Sequence, residues 1–264
     1  MIRLFLPSEE LTSRQIIIRG KDARYLSSVL RVKPGELITI FDGQGNRHIC
    51  NISEVHKKEV LVEKIKKEIY TAESPISIML AQGLPKGDKM DFIIQKSTEL
   101  GVKKIIPLVT ERSHVRYTAK GKRWRKIAVS ASQQSGREKV PDVDEPVNFK
   151  EFLNPPSPPF SPSISPLSKG GIEGGLKGII FFEEEKNQNL KKVLKDFVET
   201  TRYRKGIMTI TLLIGPEGGF SSTEAEMAIK KGFIAASLGP RILRTETAAL
   251  AAISIIQYEL GDIG

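Results

Sequence analysis

The chain has 264 residues, a formal net charge of +10, 39% hydrophobic residues and a single cysteine. That length allows one large or two ordinary domains with a proper core, while the lone Cys50 excludes a disulfide framework and fits a cytoplasmic protein. No run of about 18 apolar residues is present to cross a membrane, the N-terminus lacks the layout of a signal peptide, and the basic excess favours a polyanionic partner, most simply nucleic acid.

Residues 1–72 read as short strands with one helix, a small β-rich domain. Met1–Leu6, Gln15–Ile18 and Leu37–Phe41 are strand-like, Asp22–Arg31 is predicted helical, and Asp42-Gly43-Gln44-Gly45-Asn46 is a hairpin turn. Arg47–Val55 and Glu59–Ile65 would complete an antiparallel sheet or barrel. Arg31 and Lys33, in the basic turn after the helix, can reach phosphates; a solvated turn would read the same way.

The polar segment ending in Ser74-Pro75 marks a domain boundary, and from there strands alternate with helices, the pattern of a parallel α/β sheet. Ile76–Leu80 is a strand and Pro85–Leu100 an amphipathic helix with Met90, Ile93, Ile94, Ser97 and Leu100 on one face. Lys103–Leu108 is the next strand, with Arg112 in the loop that follows. A helix over Lys122–Ser135 ends in Gln133-Gln134-Ser135-Gly136-Arg137. Gln134 and Arg137 there could bond a base edge and a phosphate together, or Arg137 could complement the helix dipole. Residues 154–178 are rich in Pro and Ser, then in Gly, and read as a disordered insertion. Strand 179–182 and helix 190–198 resume the alternation.

The last segment carries the clearest signal. An apolar strand at Thr211–Ile214 runs into Gly215-Pro216-Glu217-Gly218-Gly219; Ser221 and Glu224 have capping-box spacing; a second apolar run ends at Leu238-Gly239; and Arg244-Thr245-Glu246-Thr247 opens an Ala-rich helix. Glycine loops at the ends of successive strands let a ligand approach the main chain. No G-x-x-x-x-G-K-[ST] and no strand-linked G-x-G-x-x-G is present, and His48, His56 and His114 are too scattered to suggest a metal site.

Gly215-Pro216-Glu217-Gly218-Gly219-Phe220-Ser221, then Ser237-Leu238-Gly239 and Arg241-Ile242-Leu243-Arg244, resembles the C-terminal signature of the RsmE family of SPOUT methyltransferases. The likeness extends to Tyr25–Glu36, to Leu84–Val102 with Lys86, and to Gln134, Ser135, Arg137 and Pro141. It implies a SPOUT-type parallel-sheet domain over 73–264 with a C-terminal trefoil knot, preceded by a PUA-like RNA-binding barrel domain over 1–72. The implied reaction is S-adenosylmethionine-dependent methylation of N3 of a uridine in 16S ribosomal RNA, as free RNA or in the small subunit, by a homodimer. Alternatives are a SPOUT enzyme acting on a ribose 2′-OH or on tRNA, and a non-catalytic rRNA-binding assembly factor. The resemblance places the cofactor on Leu213, Ile214, Gly215, Gly218, Gly219, Leu238, Gly239, Ile242, Leu243 and Thr247, and RNA on Arg31, Lys33, Lys86 and Gln134. An imide nitrogen about two pKa units above neutrality costs roughly 3 kcal/mol to ionise. Arg112 and Arg137 are the catalytic candidates for holding that charge; Glu217 and Glu246 are the alternative proton acceptors.

Overall fold

The computed structural model describes residues 2–68, 72–114, 119–155, 178–201 and 208–264. They form two compact units, Met1–Glu73 with Val129–Val140, and Ser74–Ala128 with Pro141–Gly264. The Pro/Ser/Gly-rich insertion, apart from its first two residues and its last, lies outside the described residues.

The first unit contains strands β1 (Ile2–Phe5), β2 (Gln15–Arg19), β3 (Leu37–Phe41), β4 (Arg47–Val55) and β5 (Glu59–Glu68), with helix α1 (Gly20–Arg24) after β2. They make one sheet in the order β1-β3-β4-β5-β2. Strict alternation in β2 buries Ile16 and Ile18 and exposes Gln15, Ile17 and Arg19. Those two side chains join Leu4, Leu26, Ile38, Ile40, Ile52, Val60 and Val62 in the core. Two expectations are corrected. β1 pairs with β3 in parallel, Ile2 opposite Ile38, because the long connection through β2 and α1 allows a crossover that a tight hairpin would not. The single helix predicted over Asp22–Arg31 is instead α1 followed by a π-helical turn, Tyr25–Leu30, that ends at Arg31 in the left-handed region (φ 52°).

The hairpin turn is held by one carboxylate. Asp42 accepts from the backbone N–H groups of Gln44 (2.8 Å) and Asn46 (3.0 Å), from the Asn46 amide (2.6 Å) and from the Ser8 hydroxyl (3.1 Å). Burial works to raise the Asp42 carboxyl, but these donors outweigh it and hold the group below its usual range. Val129–Val140 belongs to this unit through buried charge: Glu138, 1% exposed, meets Arg3 (3.5 Å) and Arg47 (3.4 Å).

The second unit is built on a parallel sheet. Its elements are β6 (Ser77–Gly83), α2 (Lys89–Glu99), β7 (Lys104–Val109), α3 (Gly121–Ser135, whose last turns count with the first unit), β8 (Asp142–Val143), β9 (Val147–Asn148) and α4 (Phe149–Leu153). After the insertion come β10 (Gly178–Phe181), α5 (Leu190–Thr201), β11 (Thr209–Ile214), α6 (Ser222–Lys230), β12 (Ile234–Ala236) and α7 (Thr245–Leu260). The strand order is β12-β10-β11-β6-β7-β8, with β9 also pairing β7. Register puts Ile106, Ala81, Leu213, Ile180 and Ala235 on one face, where they pack with Phe149, Phe152, Phe220 and Phe233 beside α4 and α6. The other face, with Ile105, Leu80, Leu212 and Ile179 buried, lies on the α7 side, and α7 packs against α2 and α5. Helix α2 begins four residues later than its apolar pattern suggests, since Gly87 sits at φ +67°, outside helical space. α7 buries Ala249, Ala252, Ile253 and Ile256, one stripe at helical spacing. Its far end is fastened by the fully buried Gln257, which donates to the Leu100 carbonyl (2.8 Å) and accepts from the Ser74 hydroxyl (2.7 Å).

Candidate active site

Three adjacent parallel strands, β12, β10 and β11, end side by side, and their carboxyl ends open into a cavity of about 420 Å³. Ligands settle at such strand ends in α/β sheets because the loops there are free to vary over a rigid base. Phe181, Phe182 and Glu183 line the cavity after β10; Ile214, Gly215 and Gly219 after β11; Leu238, Gly239, Ile242 and Leu243 after β12.

The loop after β11 is a tight fold closed by the Gly219 N–H donating to the Pro216 carbonyl (2.9 Å). A Cβ on Gly215 would stand 2.8 Å from the Gly219 carbonyl carbon, and Gly219 itself has φ +66°, so both positions demand glycine. Directly after the loop, Ser221 and Glu224 cap α6 reciprocally, as their spacing predicts: the Glu224 N–H donates to the Ser221 hydroxyl (3.2 Å) and the Ser221 N–H to the Glu224 carboxylate (3.0 Å). The other Glu224 oxygen accepts from the Glu111 N–H (2.8 Å). That bond fixes the loop carrying Arg112, whose guanidinium donates to the Gly218 carbonyl (2.8 Å).

A buried polar pair lies behind the cavity wall at Thr245. Thr245, 4% exposed, donates its hydroxyl to the Gly215 carbonyl (2.6 Å) and accepts from the Gln82 amide (2.9 Å). Gln82 is fully buried at the end of β6, and its own carbonyl oxygen has no partner among the described residues. Glu217 lines the cavity together with Lys89. Burial works to raise its carboxyl, but the Lys89 ammonium (2.8 Å) and the Lys86 N–H (3.2 Å) outweigh it and hold the group below its usual range. Lys89 also reaches Glu246 (3.6 Å), in the first turn of α7.

Most of the residues expected around a ligand come together here: Ile214, Gly215, Gly219, Leu238, Gly239, Ile242 and Leu243 line the cavity. Three of that set do not line it. Leu213 faces the core with Phe220 and Ile180, as the β-strand alternation of side chains requires once Ile214 points to the cavity. The Gly218 carbonyl is taken by Arg112, and Thr247 is exposed, two residues beyond the buried threonine that does line the wall. Gln82, Phe182, Glu183 and Thr245 were not anticipated; only the Gln-Gly pair at a strand end could have signalled the first of them.

Arg137, the second arginine named for the chemistry, has a different setting. It is 2% exposed and grips Glu73 with two bonds, Nε to Oε1 at 3.1 Å and a terminal nitrogen to Oε2 at 2.8 Å. A guanidinium so committed secures the first unit from within and offers no free fork to a substrate. Arg31, Lys33 and Gln134 are exposed on that unit, and Lys86 is exposed on the second. Among the described residues no group of three or more His, Cys, Asp or Glu is placed to hold a metal ion, and no helix is long and apolar enough to cross a membrane.

A parallel-sheet unit with glycine loops at its strand ends, in a chain that also carries a small β-rich unit, defines the class. Residues 72–257 match the RNA methyltransferase domain family and residues 18–65 the RNA methyltransferase PUA domain. Among curated relatives, ribosomal RNA small subunit methyltransferase E of Buchnera aphidicola is 33% identical, covering 98% of this chain and 94% of that protein. The Bacillus subtilis protein of the same name is also 33% identical, covering 95% and 94%. The Neisseria gonorrhoeae ribosomal RNA small subunit methyltransferase E, crystallised with S-adenosyl methionine, superposes with a TM-score of 0.81 at 35% identity over all of both chains. The chain belongs to the ribosomal RNA small subunit methyltransferase E family.

Proposed function

We propose that this protein transfers a methyl group from S-adenosylmethionine to N3 of a uridine in 16S ribosomal RNA. The observation that carries the reading is the cavity formed by the loops after β10, β11 and β12, in a chain similar over its whole length to a structure that binds S-adenosyl methionine. The residues present fit such a cofactor. Gly215 and Gly219 allow the tight loop that brings main chain to the cavity wall, Phe182, Ile242 and Leu243 offer apolar surface to a purine, and Arg241, Arg244 and Glu183 offer charge to the amino-acid end. The bound cofactor supplies an electrophilic methyl on a sulfonium; the chain must orient the acceptor and make it nucleophilic.

Arg112 is the residue placed for that. One N–H fixes it to the Gly218 carbonyl; the rest of its guanidinium is available to the uracil oxygens, where charge develops as N3 gives up its proton. Once that proton has passed to solvent water, the N3 electron pair would be free to take the methyl of a bound S-adenosylmethionine, the electrons of the C–S bond remaining on the departing sulfur. Glu217, tied to Lys89 and to the Lys86 N–H, holds the loop in register instead of taking the proton. The reading includes a PUA-like RNA-binding domain over 1–72, a catalytic domain over 73–264 whose last loops are threaded as a trefoil knot, a homodimer, and the cytoplasm as its place of work. Arg31, Lys33, Lys86 and Gln134 are the proposed RNA contacts, and small-subunit rRNA the partner.

Nucleoside mass spectrometry of small-subunit rRNA treated with the enzyme and labelled cofactor tests the reading. N3-methyluridine is expected. A label on a ribose oxygen, or on tRNA alone, would reassign the acceptor; no transfer and no binding of S-adenosylhomocysteine would leave a binding protein.

A further inference from the structure

The first unit carries a second concavity, of about 510 Å³, between α1 with its π-helical turn and the turn joining β4 to β5. Lys21, Arg24, Tyr25 and Ser28 fall on one side of the helical segment at spacings of three and four, and Lys57 and Lys58 face them from the strand turn. None of the four cations has an ion pair among the described residues, whereas the neighbouring acids are engaged: Glu59 with Arg19 (3.4 Å) and Glu54 with His56 (3.0 Å). Asp22, next to Lys21, is partly buried, and its carboxyl is raised by that burial.

Apolar surface lies open beside this charge. Tyr25 is 41% exposed and Val29 67%, and both line the groove. The backbone beneath is irregular, with a π-helical turn and, directly after it, Arg31 at φ 52°, a positive value for a residue with a Cβ. Such irregularities persist where the surroundings hold them and recur at functional sites. Four unpaired cations around an exposed ring match what a single-stranded nucleic acid needs: phosphates want cations, and an unstacked base wants an aromatic face.

We infer that this groove binds one unstacked nucleotide of a single-stranded RNA segment, the base lying on Tyr25 and Val29 and the flanking phosphates meeting Lys21, Arg24, Lys57 and Lys58. The inference rests on the RNA methyltransferase reading above and places an RNA contact in the first unit beyond Arg31 and Lys33. An acidic protein segment would satisfy the lysines without needing the ring, which is why the exposed tyrosine favours RNA.

The test is fluorescence anisotropy of the full-length protein with a fluorescein-labelled single-stranded 12-nucleotide RNA, titrated over a range of salt. Tyr25→Ala should weaken binding about tenfold and Tyr25→Phe should preserve it. Lys57→Ala with Lys58→Ala should flatten the slope of log affinity against log salt by about 0.7 for each phosphate no longer neutralised. Affinity for S-adenosylhomocysteine should be unchanged in all of them, which reports an intact fold. Unchanged RNA affinity and salt slope in these variants would overturn the inference, as would a wild type that binds no single strand. Equal competition by polyglutamate, sensitive to the lysines but not to Tyr25, would assign the groove to an acidic protein instead. A wild type that binds the RNA through this groove yet methylates no rRNA would sink the proposed reaction and leave the groove standing.

Discussion

At the scale of single residues, two arginines that look alike in the sequence have different environments. Arg112 is exposed and makes one bond to the glycine loop; Arg137 is buried in a two-point grip on Glu73. Arg112→Ala should therefore keep S-adenosylhomocysteine affinity and melting temperature while methyl transfer falls by a hundredfold or more, on the order of the loss of one anion-stabilising donor. Full activity in that variant would remove Arg112 from the chemistry. Arg137→Ala should instead lower stability by about 3–5 kcal/mol, because it strands a buried carboxylate; an unchanged denaturation midpoint would contradict that role. Cys50 is fully buried, and burial pushes its thiol up to about 11. Since the thiolate is the nucleophile, iodoacetamide at pH 8 should leave native protein unlabelled, and prompt labelling would show that β4 opens readily.

At the scale of elements, α6 and its cap couple the glycine loop to the arginine loop. Ser221→Ala removes one capping acceptor and should cost about 1 kcal/mol with little effect on catalysis. Glu224→Gln keeps an acceptor for one N–H but loses the charge assistance shared between Ser221 and Glu111, so turnover should fall more than stability does; equal activity in the two variants would uncouple the cap from Arg112. The buried pair Gln82 and Thr245 acts on the other wall. Thr245→Val keeps the shape but takes the donor from the Gly215 carbonyl. The carbonyl keeps only the longer bond from the Gln82 amide (3.4 Å), and that amide loses its Thr245 acceptor. Losing the short buried bond costs about 0.5–1.5 kcal/mol, and the loss should appear as weaker S-adenosylhomocysteine binding in calorimetry.

For the molecule as a whole, pH dependence should follow from carboxylates that folding holds ionised. The Asp42 carboxyl is below its usual range in the fold. A group depressed on folding stabilises the native state fully above its unfolded pKa, about 3.9 for Asp, and that contribution is lost as pH falls through the lower folded value. Acid denaturation of wild type and Asp42→Asn should therefore differ near neutrality and converge as pH falls through the lowered Asp42 value of the folded state. A constant gap at all pH values would mean the turn depends on shape and not on charge.

The longer strands and helices, the turn at Asp42, the α6 capping box and the glycine loop were legible in the sequence, because each rests on local physics: side-chain periodicity, residues tolerant of positive φ, and a hydroxyl three residues from a carboxylate. The short β8, β9 and α4 were not. Local signals ran out where partners come from far along the chain. The parallel pairing of β1 with β3, the burial of Arg137 by Glu73 and the bonds from Gln82 and Thr245 to Gly215 all join groups thirty or more residues apart. Gln82 reaches Gly215 because β6 and β11 are neighbours in the sheet, and Thr245 because α7 starts beside the loop after β11. Sequence by itself determined which elements form and which loops are fit to meet a ligand. Tertiary structure alone decided which polar groups are free to do chemistry, because burial and a distant counter-charge are properties of the packed chain, not of any local run of residues.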